Sequence, residues 1–240
     1  MQTGLNVALS GQIVLQRKLE TIAHNLANAN TAGFRAREVT FDSILAQTGD
    51  TKTAFSASGG EYTSLRSGGL LKTDNALDVG VLGDAWIGIR TPGGLAYTKD
   101  GRMQMMDSGE LKTMAGNPVL DVSGSTLSLD PNGGPAVISR DGMISQNGAQ
   151  VGAIGLFKID PGASLTPAGN SGFTTDKPAT PVLDFVKNGV AQGFIETSNV
   201  NPVMEMARLI TVQRAFDSVS SALESSDNAR RDAIKTLGPA

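Results

Sequence analysis

NLANANTAGFR, residues 25–35, follows a run with helical periodicity and interrupts it with small and amide side chains. Small residues let backbones approach closely. Asparagine ends helices readily, and Gly33 enters the left-handed region without strain. Phe34 supplies one large apolar anchor, and Arg35 supplies a planar fork of donors. Such a tract turns the chain sharply and packs tightly among several helices. Its expected role is to position neighbours in a crowded assembly.

Reading outward, Leu5, Ala8, Gln12, Leu15, Leu19, Ile22 and Leu26 recur in alternating steps of four and three. That is a heptad seam with one polar position, Gln12, and it predicts a helix over residues 4–28. Such a helix cannot bury its stripe alone. At the other end of the chain, Asn201 is a good helix cap and Pro202 a good first helical residue. Leu209, Val212, Phe216, Val219, Leu223, Ser226, Arg230, Ala233 and Leu237 then keep heptad spacing, apolar through Leu223. Val203, Met206 and Ile210 widen the apolar face at the start, and Gly238-Pro239 is the stop signal. The second helix is the longer of the two, and unmatched length points to neighbours from other chains.

Proline and glycine separate these ends from the middle. Eight of the ten prolines lie between Pro92 and Pro181, and 22 of the 29 glycines lie between Gly68 and Gly193. Short apolar runs, WIGI (86–89), PVLD (118–121), TLSL (126–129), AVIS (136–139), AIGLFKI (153–159) and VLDFV (182–186), alternate with turn residues and read as strands. TKDGRMQMMDSGE (98–110) and SRDGMISQNGAQ (139–150) share a basic residue and Asp-Gly, so they read as two related turn-and-hairpin units. Residues 36–69 read as an extended connector. The expected fold is α+β and discontinuous. A coiled-coil-like helical domain is built from residues 1–35 and 196–240, with an inserted, mainly antiparallel β domain over 70–195.

Composition removes several function classes. With no cysteine, disulfides and thiolate metal sites are excluded, and His24, the only histidine, rules out a multi-histidine site. A net charge of −3 offers no basic field for nucleic acid. The first basic residue is Arg17, and Asn6, Ser10, Gly11 and Gln12 interrupt the apolar residues before it, so no signal peptide is read. Met103, Met105, Met106 and Met114 read as core filling rather than a soft-metal site. Asp130-Pro-Asn132-Gly133 reads as a turn, because a calcium loop's later glutamate is missing. Asp100, Asp107 and Asp141 sit in turn motifs, where aspartate caps its own backbone, so no paired-carboxylate chemistry is assigned. Gly68-Gly69 and Gly93-Gly94 lack phosphate-loop patterns. His24, beside the seam, reads as structural. No catalytic, cofactor-binding or metal residue is assigned, and the chain is read as no enzyme. A carbohydrate-binding or adhesin-like module would need an exposed aromatic platform from Tyr62, Trp86 or Tyr97, and Trp86 sits in a strand-like run that reads as core.

SGQIVLQRKLETIAHNLANANTAGFRA (10–36) resembles the N-terminal signature of the flagellar rod and hook axial proteins, at Ser10, Gly11, Asn25, Leu26, Ala27, Asn28, Thr31, Gly33, Phe34 and Arg35. His24 stands where that family commonly has a first asparagine. GFIETSNVNPVMEMARLITVQRAF (193–216) is similar to the C-terminal signature, and LAYTKDGRMQMMDSGELKTMAGNPVL (95–120) to a family hairpin. The resemblance implies a structural subunit of the bacterial flagellar rod, of proximal-rod type with the distal-rod type as alternative. It would be sent unfolded through the flagellar type III export apparatus without a cleavable signal. Implied partners are copies of itself and the rod proteins FlgB, FlgC and FlgG, with no small-molecule substrate, no cofactor and a place in the basal body. The expected subunit interface comprises Leu15, Leu19, Ile22, Asn25, Leu26, Asn28, Thr31, Gly33, Phe34, Arg35, Asn199, Asn201, Met206, Leu209, Ile210, Val212, Gln213, Arg214, Phe216, Val219 and Leu223.

Overall fold

The computed structural model describes residues 2–48, 51–169 and 171–237. The chain divides into two compact units, one drawn from residues 1–27, 37–62 and 201–240, the other from residues 28–36 and 63–200. Each gathers segments remote in sequence, and the class is α+β.

In the first unit, helix α1 spans Gln2–Ala27 and helix α2 spans Pro202–Leu237. Asn201 caps α2: its Oδ1 accepts the amides of Val203 and Met204, each at 3.1 Å, and its carbonyl accepts Glu205 N at 3.0 Å. The two helices pack on one another. Of the seam residues, Ile22 and Val212 are buried, and Leu15, Leu19, Leu26, Leu209, Phe216, Val219 and Leu223 are half-buried. The polar seam residue Gln12 donates from Nε2 to Ser220 Oγ at 3.1 Å, so an amide inside an apolar stripe finds a partner and helps to fix register. Beyond Leu223 the α2 seam is exposed at Ser226 and Ala233. The side chains of Leu5, Arg230 and Leu237, and the stop signal Gly238-Pro239, lie outside what is described.

Residues 36–69 hold more structure than an extended connector. Strands β1 (Arg37–Thr48) and β2 (Thr51–Thr63) form a two-stranded sheet. Val39, Thr40, Phe41 and Ile44 carry β propensity that the small polar composition of the second strand masks. That smallness has its own cause: a Cβ on Gly59 would stand 2.5 Å from Thr40 Oγ1, so the strands meet there only because glycine is present.

The second unit is antiparallel β throughout its described strand pairs. Its main sheet runs, in spatial order, Leu165–Ala168, Gly172–Thr175, Gly94–Thr98, Ala85–Thr91, Leu156–Lys158, Thr180–Pro181. One face buries Val79, Ile87, Ile89, Leu111, Val119, Ile144 and Leu156; the other gathers Trp86, Tyr97, Phe157, Ile159 and Phe173. Both repeats form hairpins, Met103–Met105 with Leu111–Thr113 and Met143–Gln146 with Ala149–Ala153. Those hairpins close at Gly109 (φ 84°) and at Asn147-Gly148 (φ 50° and 78°); Asp141-Gly142 (φ 86° at the glycine) makes the tight turn that joins Ala136–Ile138 to Met143–Gln146, whereas Asp100-Gly101 makes none. Asp100 and Asp141 both accept the amides two residues on, from Arg102 (3.2 Å) and Met143 (3.1 Å). VLDFV (182–186) is not a strand. Asp184 Oδ1 accepts Val186 N at 2.9 Å, which bends the chain into a turn with Leu183 and Val186 exposed.

Candidate functional site

The tract that opens the sequence reading is an integral part of the β unit from Asn28 to Ala36. Thr31 Oγ1 donates to Asn28 Oδ1 at 3.2 Å and closes the turn. Gly33 has φ 66°, and a Cβ there would stand 2.2 Å from Asp100 N, so glycine is required both by conformation and by the backbone pressed against it. Gly33 N donates to Glu196 O at 2.8 Å. Ala32, Phe34 and Ala36 are buried. Asn199 holds the exit of the tract: its Oδ1 accepts Ala36 N at 2.7 Å, and its Nδ2 donates to Arg66 O at 2.8 Å.

Arg35, expected as a fork of donors toward neighbours, is 0% exposed. Its Nη2 donates to Glu196 Oε1 at 2.7 Å, and the same oxygen accepts Gly68 N at 2.9 Å. Lys99 Nζ lies 3.8 Å from Glu196 Oε2 and donates to Gly83 O at 2.7 Å. Two cations thus share one carboxylate away from water. The Trp86 ring takes up part of the excess, its centroid 5.7 Å from the Arg35 guanidinium carbon and 5.3 Å from Lys99 Nζ. Desolvation pushes the Lys99 ammonium down to about 8; the Glu196 carboxylate opposes that shift and Arg35 adds to it.

A folded-state value below the unfolded one means that the unfolded chain holds the Lys99 proton to higher pH. Stability should therefore rise from about pH 8 toward pH 10, at up to about 1.4 kcal/mol per pH unit from this group. Urea denaturation at pH 7, 8, 9 and 10 measures the slope, and Lys99→Met is expected to flatten it. An unchanged slope in that variant would remove the assignment.

In the helical unit, Asn25 is buried and clamps Arg37 from both sides, donating to its carbonyl and accepting its amide, each at 2.9 Å. Five residues of the expected interface set lie outward: Asn201, Met206, Ile210, Gln213 and Arg214 are exposed. Leu9, Ile13, Val203 and Met204 join Met206 and Ile210 as large apolar side chains open to solvent. An open cleft of about 450 Å³ lies between α1 and the two-stranded sheet, lined by Arg17, Glu20, His24, Arg37 and Glu61 among others. Burial first, then Arg37, holds the His24 imidazole below its ordinary value, while Glu61 opposes them. Trp86 is core, at 3% exposure.

The structure therefore separates the expected set. Gly33 and Arg35 meet Glu196, and Phe34 meets Asn199, inside the β unit, while the seam leucines are half-buried in the helical unit. Sequence reasoning gave Lys99 and Glu196 no role. Their signal is faint, since a buried Lys and Glu 97 positions apart look like any surface charges until the fold joins them.

Comparison with known proteins bears on both ends and on the whole length. A family described as "Flagella basal body rod protein" matches residues 5–35, and one described as "Flagellar basal body rod FlgEFG protein C-terminal" matches residues 191–236. The chain is 47% identical over 238 residues to "Flagellar basal-body rod protein FlgF" of Mesorhizobium japonicum, covering 99% of each chain. It is 35% identical to the FlgF protein of Caulobacter vibrioides, again with 99% of each covered. Against "Flagellar basal-body rod protein FlgG" of Bacillus subtilis the identity is 30%, with 98% of each covered.

Proposed function

We propose, because the chain belongs to the flagellar basal-body rod protein family, that it is a structural subunit of the proximal rod, polymerising through its helical unit into part of the flagellar drive shaft. Greater identity to FlgF than to FlgG supports the proximal assignment over the distal one. On this reading the subunit passes unfolded through the type III export apparatus, takes its place in the basal body beside copies of itself, FlgB, FlgC and FlgG, and makes or breaks no bond.

The observation that carries the polymerisation reading is the division of labour on the helices. The two helices are packed together and their seams are buried or half-buried, yet Leu9, Ile13, Val203, Met204, Met206 and Ile210 remain in water at 45–69% exposure. A second apolar surface on an already paired helix bundle calls for neighbours from other subunits. The proposed intersubunit contacts are therefore Met206, Ile210, Gln213 and Arg214, with the remaining seam edges of Leu15, Leu19, Leu26, Phe216, Val219 and Leu223 closing against adjacent helices.

Val203→Asp with Ile210→Asp tests this. Both residues are exposed, so the monomer should stay within about 0.5 kcal/mol of wild type. Rod assembly should fail, and cells carrying only this variant should not swim. Wild-type swimming, with the variant present in purified basal bodies, would sink the proposed interface. Absence of the wild-type chain from basal bodies would sink the rod reading itself.

A further inference from the structure

We infer that residues 28–36 are a plug on which closure of the β unit depends, so that this unit folds only when both ends of its own sequence have come together. The plug is fixed at four places by residues far along the chain. Gly33 N donates to Glu196 O, Arg35 Nη2 pairs with Glu196 Oε1, Ala36 N donates to Asn199 Oδ1, and Ala36 O accepts Ser64 N at 2.8 Å. It lies against the middle of the sequence as well, since only glycine at position 33 permits the backbone of Lys99 and Asp100 to come so close. Its side chains complete the unit's interior, with Phe34 at 4% and Arg35 at 0% exposure.

Without the plug, Glu196 loses its hydrogen-bonded cation and keeps only the longer of its two ion pairs, the one to Lys99, and Trp86 loses the guanidinium beside it. None of these losses is local to a turn that a few residues could repair. A chain whose first 36 residues are free but whose residue 196 has not yet arrived cannot form the cluster. On the reading of the chain as an exported subunit, on which this consequence rests, the β unit then stays open until nearly the whole sequence has left the channel.

The test uses the purified full-length chain. Gly33→Val places a branched side chain into the Asp100 backbone at positive φ; Gly60→Ala, whose added Cβ meets nothing within 4 Å, is the control. Hydrogen exchange is read separately over Ala85–Thr91, in the β unit, and over the paired stretch of α2, residues 205–223. Emission from Trp86, the only tryptophan, reports on the cluster.

In Gly33→Val the β segment is expected to lose about 100-fold or more in protection, with Trp86 emission moving to the red, while the helical segment keeps its protection. Arg35→Met, which keeps an apolar stem in the same place, is expected to do the same to a lesser degree. Unchanged β protection and emission in Gly33→Val would overturn the inference. So would equal loss in both segments, because the change would then have unfolded the chain as a whole. The readout is made on the isolated chain, so it stands whether or not the chain is exported.

Discussion

Glu196→Leu is expected to destabilise the β unit by about 3–5 kcal/mol, the range for removing one partner of a buried ion pair. The cost comes from what is left behind. Arg35 and Lys99 would face each other without a carboxylate, and Gly68 N would lose its acceptor. Lys99 would also lose the one influence that most raises its proton affinity, so the rise of stability with pH should begin below pH 8 in this variant. Replacing all three charges together, Arg35→Met with Lys99→Met and Glu196→Leu, should restore most of the loss, because apolar groups of similar volume need no counter-charge. Denaturant titration of the single and triple variants measures both. A single variant within about 1 kcal/mol of wild type would show that water reaches the cluster.

Gly101→Ala is the second change expected to act strongly. An alanine Cβ would stand 1.9 Å from the carbonyl oxygen of Val79 and 2.8 Å from that residue's Cγ2. Val79 N is hydrogen-bonded to Gly101 O at 2.9 Å, so neither backbone can withdraw without breaking that bond. Val79 is itself at 0% exposure in the main core. Overpacking of this kind costs about 3 kcal/mol, the upper part of its usual range. A thermal scan should show the loss in the β unit. A variant that melts like wild type would mean that the strand beginning at Val79 shifts freely, contrary to its place in the core.

Gly101 also shows where sequence reasoning reached its limit. As half of an Asp-Gly pair it reads as a turn residue chosen for positive φ, yet its requirement is space, set by Val79 more than twenty positions earlier. The same limit applies to Arg35. A fork of donors in a tract of small residues is legible, but its partner Glu196 is not, because no local pattern marks a buried pair so far apart in sequence. What was legible rested on periodicity and punctuation. The seam from Leu5 to Leu26, read as a helix over 4–28, places α1 within two residues at its start, and Asn201-Pro202 marks the start of α2 to the residue. The hairpins of the two repeats were legible as hairpins and Asp141-Gly142 is a tight turn as read, while Asp100-Gly101 is not and the turn at Asn147-Gly148 went unassigned. VLDFV read as a strand because its composition is apolar, and Asp184 bends it by capping the amide of Val186. The strands β1 and β2 were hidden because the second, rich in Ser, Ala and Gly, carries little alternation and so gave the first no evident partner.

Helices α1 and α2 differ in length, 26 residues against 36. At 1.5 Å per residue the difference is about 15 Å. A bundle of unequal rods ends in a step rather than a flat face. Bodies with stepped ends, set end to end, join as a carpenter's scarf joint does, with each overlap crossing the plane where a butt joint would part. Twisting such a column loads its overlaps in shear along their length, spreading the strain over several side chains instead of concentrating it at one plane.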